Sequence, residues 1–265
     1  MSDSMTPTPA APASAADPFA HYRGIGTPHP LIGLYRLLLR EQLTRGRVLL
    51  TGVMSALAIL VTALIAREGG PFQIDDAIGF LWFFGLGLSV PIISLVLASS
   101  SLGQLVEDET LVYLWIRPTP RWMLALAAWL APATVAVPFT AVPLAVAAFV
   151  GTSGDLGHTW AVGVSVVLAA LAYTAIFTLL GLLVRRSLIW GMLYLFIWEL
   201  FVARVGEGAA RLSINTYPSS VLSRMTDVDL PRAERLMSAG IIVPLVVAAV
   251  AVALTAWRLD RSTVA

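Results

Sequence analysis

Six apolar stretches, each close to the length of a bilayer-crossing helix, constrain this chain more than any other feature. They run over 48–66, 77–102, 122–150, 160–184, 188–203 and 238–257, and a spanning helix needs roughly 20 apolar residues. The fifth reaches that length only if it continues to about Gly206, taking in Glu199 and Arg204. In lipid every backbone N–H and C=O must be paired internally, so such stretches fold as helices. Prolines interrupt two of them, Pro91 in the second and Pro132, Pro138 and Pro143 in the third. Membrane helices accept this where neighbours satisfy the freed carbonyls. Composition points the same way. Of 265 residues, 58% are hydrophobic and 12% charged, with mean hydropathy +0.82, against roughly 25% charged in a soluble domain. The expected fold class is all-α integral membrane, with six transmembrane helices.

Several functions fall away on composition. The net charge of +1 implies no nucleic-acid partner, and the 17 basic residues are all arginine. Without cysteine there is no disulfide framework, thiolate metal site or cysteine nucleophile. No H-E-x-x-H is present, and no metal is expected. A phosphate-binding loop of the G-x-x-x-x-G-K-[ST] kind needs a lysine, and the chain has none. Residues 1–28 are rich in proline, alanine and serine, which predicts a disordered tail. That tail lacks the basic start and apolar core of a secretory signal.

Residues 29–47 read as an amphipathic helix ahead of the first span. Arg36 and Arg40 share one face, Leu31, Leu34 and Leu38 fill the other, and Glu41 and Arg45 are spaced as a helical pair. Two readings fit: a helix lying in the membrane surface with its arginines toward head groups, or the basic start of the first span. Arginine placement sets the orientation. With the N-terminus inside, inner segments hold eleven arginines and outer segments six; among short connections the ratio is four to one. Both termini are therefore expected in the cytoplasm, 258–265 being a C-terminal tail. Trp122, Trp160 and Trp257 fall at predicted span ends, as an aromatic belt requires.

The connection between the second and third spans is then cytoplasmic. Glu107, Asp108 and Glu109 would stand near the start of a short helix, where the dipole favours negative charge. Leu111, Leu114 and Trp115 make a compact apolar face, Pro118 stops the helix, and Arg117 and Arg121 mark the membrane edge. Such a segment is either an ordinary capped loop helix or a docking knob.

This run, T-L-V-Y-L-W-I-R-P-T-P-R-W, resembles the corresponding loop of the ABC type-2 permeases, the membrane subunits of ATP-driven exporters. Thr110, Leu111, Pro118 and Arg121 match the spacing of that family's motif, with Glu107 as its preceding acid. Glu109 replaces the usual glycine, and Ala128 stands where a lysine often follows. The resemblance implies that 107–115 is a coupling helix, docking into a separate ATPase subunit that binds ATP and Mg; this chain would carry no cofactor and no catalytic residue. It further implies two ATPase copies, a second permease chain, a bacterial cytoplasmic (inner) membrane location, and outward export of a hydrophobic or amphipathic substrate. A non-transporting sensor or immunity factor that binds an ATPase is the alternative.

Three further features remain. Glu199 is the one carboxylate deep inside a span; it is either a pathway group or half of a buried pair with Arg204 or another helix. The long segment 204–237 reads as two short amphipathic helices dipping into the outer leaflet, the second capped by Asp229 ahead of Pro231. The resemblance implies that they form a re-entrant hairpin narrowing the exit, with Tyr217, Pro218 and Arg224 as gate candidates; a surface lid without gating is the alternative. Gly151-Thr152-Ser153-Gly154 matches the serine motif of rhomboid-type intramembrane proteases, a distant alternative because a base is needed. The three histidines are His21, His29 and His158, none of them in the last span.

Overall fold

The computed structural model describes residues 30–70, 72–103, 120–204, 207–231, 233 and 235–261. Among these there is no strand. The helices are α1 (Pro30–Gln42), α2 (Arg45–Glu68), α3 (Gln73–Ser101), α4 (Arg121–Gly151), α5 (Leu156–Leu183), α6 (Ser187–Glu199), α7 (Glu207–Ala210), α8 (Thr216–Thr226) and α9 (Met237–Arg261). Of these, α2, α3, α4, α5 and α9 are long and apolar enough to cross a membrane. That makes the chain a multi-pass membrane protein.

The stretch read as a fifth span stays helical only to Glu199, roughly 20 Å at 1.5 Å per residue, against a core of about 30 Å. Its end is physical. The last turns widen into π-helix over Tyr194–Glu199, closed by Leu200 N–H to the Leu195 carbonyl at 3.0 Å, and a 3-10 turn follows at Val202–Arg204.

Helix α5 is the axis of the bundle and packs against α3, α4, α6, α8 and α9. Its buried side is lined with small side chains, Ala161, Ala169, Ala170 and Ala172, which share a cluster with Ala147 and Ala148 of α4, while Ala175 meets Ala248 and Ala251 of α9. With no hydrophobic drive between helices in lipid, such residues let backbones approach and gain dispersion contact. Outward-facing Leu49, Val53, Leu57, Leu60 and Leu64 leave α2 an apolar, exposed flank. Trp122, Trp160 and Trp257 are exposed at helix ends.

Two ends of the bundle can be distinguished. At one, Arg121 donates to the Leu259 and Asp260 carbonyls of α9 at 2.8 and 2.7 Å, which joins the starts of α4 to the end of α9. Leu34 and Leu38 of α1 pack there on Leu124, Ala125 and Ala128, and Tyr35 donates to Thr134 at 3.1 Å. Arg36 and Arg40 face outward. Helix α1 ends at Gln42, so Glu41 and Arg45 do not share a helix; Arg47 instead donates to the Glu41 and Gln42 carbonyls. At the other end, Gln73 donates to the Gly151 carbonyl and the Ser153 hydroxyl, both at 3.0 Å. Ser153 at φ 54 and Gly154 at φ 92 reverse the chain from α4 into α5.

After α8 the prediction of a helix capped by Asp229 fails. Asp227 at φ 53 ends α8, and no described helix begins at Asp229. Residues 227–231 instead alternate exposed and buried, with Val228 and Leu230 inward and Asp227, Asp229 and Pro231 outward. That period of two is an extended chain. Burying both apolar side chains against the core outweighs the local capping signal.

Candidate functional site

The π turn that ends α6 sets the geometry of the site. Residues five apart stack along such a turn, which brings Tyr194 over Glu199: its hydroxyl donates to Glu199 Oε1 at 3.1 Å. Fourteen and fifteen residues further on, the Ser213 hydroxyl donates to Oε2 at 2.5 Å and the Ile214 N–H donates to Oε1 at 3.1 Å. Glu199 is 8% exposed. A carboxylate offers about four acceptor positions, so three donors nearly saturate it.

Behind Glu199 lies an aromatic wall. Tyr173 and Phe177 of α5 are fully buried and stacked at 5.8 Å, and Phe177 meets Tyr194 edge-on at 6.4 Å. The Tyr173 hydroxyl faces Glu199, yet it makes no well-aligned hydrogen bond among the described residues. In front of Glu199 is a cavity of about 40 Å³ bounded by Trp82, Gly87, Ser213, Asn215, Thr216, Ser219 and Pro231. Trp82 and Gly87 belong to a second π-helical stretch, Leu81–Ser89 of α3. Trp82 Nε1 donates to the Ser219 hydroxyl at 2.9 Å, fastening α8 to α3. A side chain at Gly87 would stand 3.7 Å from Asn215 Nδ2, so the glycine leaves the cavity room.

The depth of the site follows from counting. Glu199 is twelve residues along from Ser187, which begins beside Arg185 and Arg186, or roughly 18 Å of helix. Trp82 is nine residues in from Gln73 at the opposite end, or roughly 13 Å. Together these fill a core of about 30 Å. The carboxylate lies about midway between the two ends of the bundle, and α8 reaches the same level.

Of the residues singled out from sequence, Glu199 is at the centre of this site. Its described partners are a tyrosine, a serine and a backbone amide. Tyr217 and Pro218 flank the cavity-lining Thr216 and Ser219 without lining the cavity; the Tyr217 hydroxyl donates to the Arg211 carbonyl at 2.8 Å. Arg224 lies further along α8, where its Nε donates to the Arg235 carbonyl at 2.7 Å. Arg36, Arg40 and Arg121 are at the far end of the bundle. Glu107, Asp108, Glu109, Thr110, Leu111, Leu114, Trp115, Arg117 and Pro118 lie outside the described residues. Sequence reasoning missed Tyr173, Tyr194, Trp82, Ser213, Asn215 and Ser219. The signal available was the polar run S-I-N-T-Y-P-S-S at 213–220.

The serine of the G-T-S-G turn is built into a cap. Ser153 accepts from Gln73. His158 Nδ1 contacts Asp155 Oδ2 at 3.0 Å, and Asp155 Oδ1 accepts from the Gly157 and His158 amides at the start of α5. No hydrogen bond joins Ser153 to His158 among the described residues. A further cavity of about 700 Å³ lies between α4 and α5, walled by Ala141, Val142, Ala145, Trp160, Gly163 and Val167 and almost wholly apolar. No protein-family model and no curated protein matches this chain.

Proposed function

We propose that the chain is the transmembrane permease subunit of an ATP-binding cassette exporter. It moves a hydrophobic or amphipathic, drug-like or lipid-like, substrate outward, paired with a second permease chain and powered by two separate ATPase subunits that hold ATP and Mg. One observation carries the reading: the Thr110, Leu111, Pro118, Arg121 spacing stands in the connection between two long membrane helices, at the arginine-rich end of the bundle. That end faces the cytoplasm in this reading, together with both termini, by the excess of arginine.

The remaining assignments follow from it. Helix α1 lies in the membrane surface, with Arg36 and Arg40 toward head groups. Helix α6 and the 3-10 turn complete a sixth crossing, and residues 207–231 re-enter the outer leaflet to the level of Trp82. The 107–115 helix docks into the ATPase. Arg121 ties the start of α4 to the end of α9, so a push on that connection reaches both helices. The nearly apolar groove between α4 and α5 favours greasy cargo over a sugar or an ion.

The test is purification of the tagged chain from its own membrane, identification of any phosphate-loop ATPase that accompanies it, and ATP hydrolysis of the complex in lipid discs. Hydrolysis stimulated by hydrophobic cations or lipids is expected. A co-purifying ATPase that no such compound stimulates would favour the sensor, and no ATPase at all would overturn the reading.

A further inference from the structure

A carboxylate deep in an apolar slab is stable as an anion only while donors surround it. Among the described residues Glu199 has three, and two of them, Ser213 and Ile214, belong to the segment that precedes α8. The segment is thus held to α6 through one charge. From the described residues Oε1 accepts two hydrogen bonds and Oε2 one, so Oε2 is the less occupied position for a proton. Two features serve the protonated form. The cavity of about 40 Å³ beside Glu199 has room for about three or four waters at roughly 10–15 Å³ each, which could carry a proton to it. The buried Tyr173 oxygen, facing Glu199 without a well-aligned partner, can accept from a carboxylic acid.

We infer that Glu199 is a proton-binding site that latches the 207–231 hairpin. As an anion it holds Ser213 and Ile214 against α6. On taking a proton at Oε2 the carboxyl loses its charge, the charge-assisted bond from the Ser213 hydroxyl gives way to a weaker neutral one, and the hairpin loosens from α6 and α3. Among the described residues, the groups facing Glu199 are Tyr194 from its own helix, Tyr173 from α5, Ser213, the Ile214 amide and Asn215 from the hairpin, and Trp82 from α3. Only the two phenols among them titrate, ordinarily near about pH 10. A response that appears on acidification therefore belongs to the carboxylate and not to a phenol. The latch rests on the permease reading only for the side from which the hairpin is reached.

The absence of native cysteine supplies the test. Ser220 is fully buried in α8, so in Ser220→Cys the rate of reaction with a membrane-impermeant maleimide reports hairpin opening. Ser153→Cys, in an exposed turn, corrects for the pH dependence of the thiol itself. In proteoliposomes holding this chain alone, the corrected rate should rise at least about tenfold on acidification, the factor implied by losing one hydrogen bond to a charged acceptor. Adding Glu199→Gln should leave the rate high at both pH values, and Tyr173→Phe should keep it low to more acidic pH. A corrected rate that ignores pH, or a Glu199→Gln variant with the unaltered pH profile, overturns the latch. Should Glu199→Gln not reach the membrane, infrared difference spectra decide. A buried carboxylic-acid band that grows on acidification and shifts in Glu199→Asp supports the site, and its absence overturns it. No ATPase is present, so the result stands whether or not an exporter partner is found.

Discussion

Gly240 is where the packing of the hairpin is most exposed to a single substitution. It lies in the first turns of α9, facing α8. A β-carbon there would stand 2.6 Å from Val221 Cγ2 and 2.9 Å from the Tyr217 carbonyl oxygen. Valine can rotate, but the carbonyl is backbone and cannot yield without moving α8. Ordinary contact begins near about 3.5 Å, so Gly240→Ala should push α8 away by roughly half an ångström or more. Overpacking of this kind costs about 1–3 kcal/mol. Alanine also gains about 1 kcal/mol over glycine in a helix, which would mask part of that loss. Gly163 supplies the control: it lies within α5 with nothing inside 4 Å of its would-be β-carbon. The difference in stability between Gly240→Ala and Gly163→Ala cancels the propensity gain and isolates about 1–3 kcal/mol of strain. Thermal unfolding in detergent measures it, and labelling of Ser220→Cys shows where the loss occurs. If Gly240→Ala stabilises the chain as much as Gly163→Ala does, α8 does not pack on α9 as described.

Trp115→Ala should weaken association with the ATPase roughly thirtyfold, since a central aromatic anchor contributes upward of about 2 kcal/mol; a pull-down with an unchanged partner yield would remove Trp115 from the interface. Single cysteines at Ser153 and at the exposed Leu212 should react with an impermeant label from outside, and those at Thr119 and Ser262 should not; the reverse pattern would invert the orientation. The His158 and Gly157 amides hold the Asp155 carboxyl below its ordinary range. A depressed carboxyl stabilises the fold above its unfolded value of about 4 and loses that contribution as pH falls further. The melting difference between the native chain and Asp155→Asn should therefore be present at neutral pH and close under more acid conditions, and a difference that persists would point to the shape of the side chain rather than its charge.

The long helices, the face of α1 that buries Leu34 and Leu38, and the suspicion attached to Glu199 could all be read along the chain. The reason is that lipid leaves a backbone no partner but itself. Length and polarity then decide where a helix runs, and an unmatched carboxylate inside one stands out. Capping signals proved weaker: Asp229 and Pro231 have the composition of a helix start, yet Val228 and Leu230 are drawn inward in an extended run. What the sequence alone determined is a greasy, helical, multi-pass chain with its arginines sorted toward one end. What only the tertiary structure decided is that Glu199 is held by Tyr194, Ser213 and the Ile214 amide, beneath Tyr173 and beside a cavity that Trp82 closes. Those neighbours come from four separate segments. Their meeting depends on how alanine-lined helices close on α5 and where two π turns rotate their side chains, and neither has a periodicity that a single strand of sequence displays.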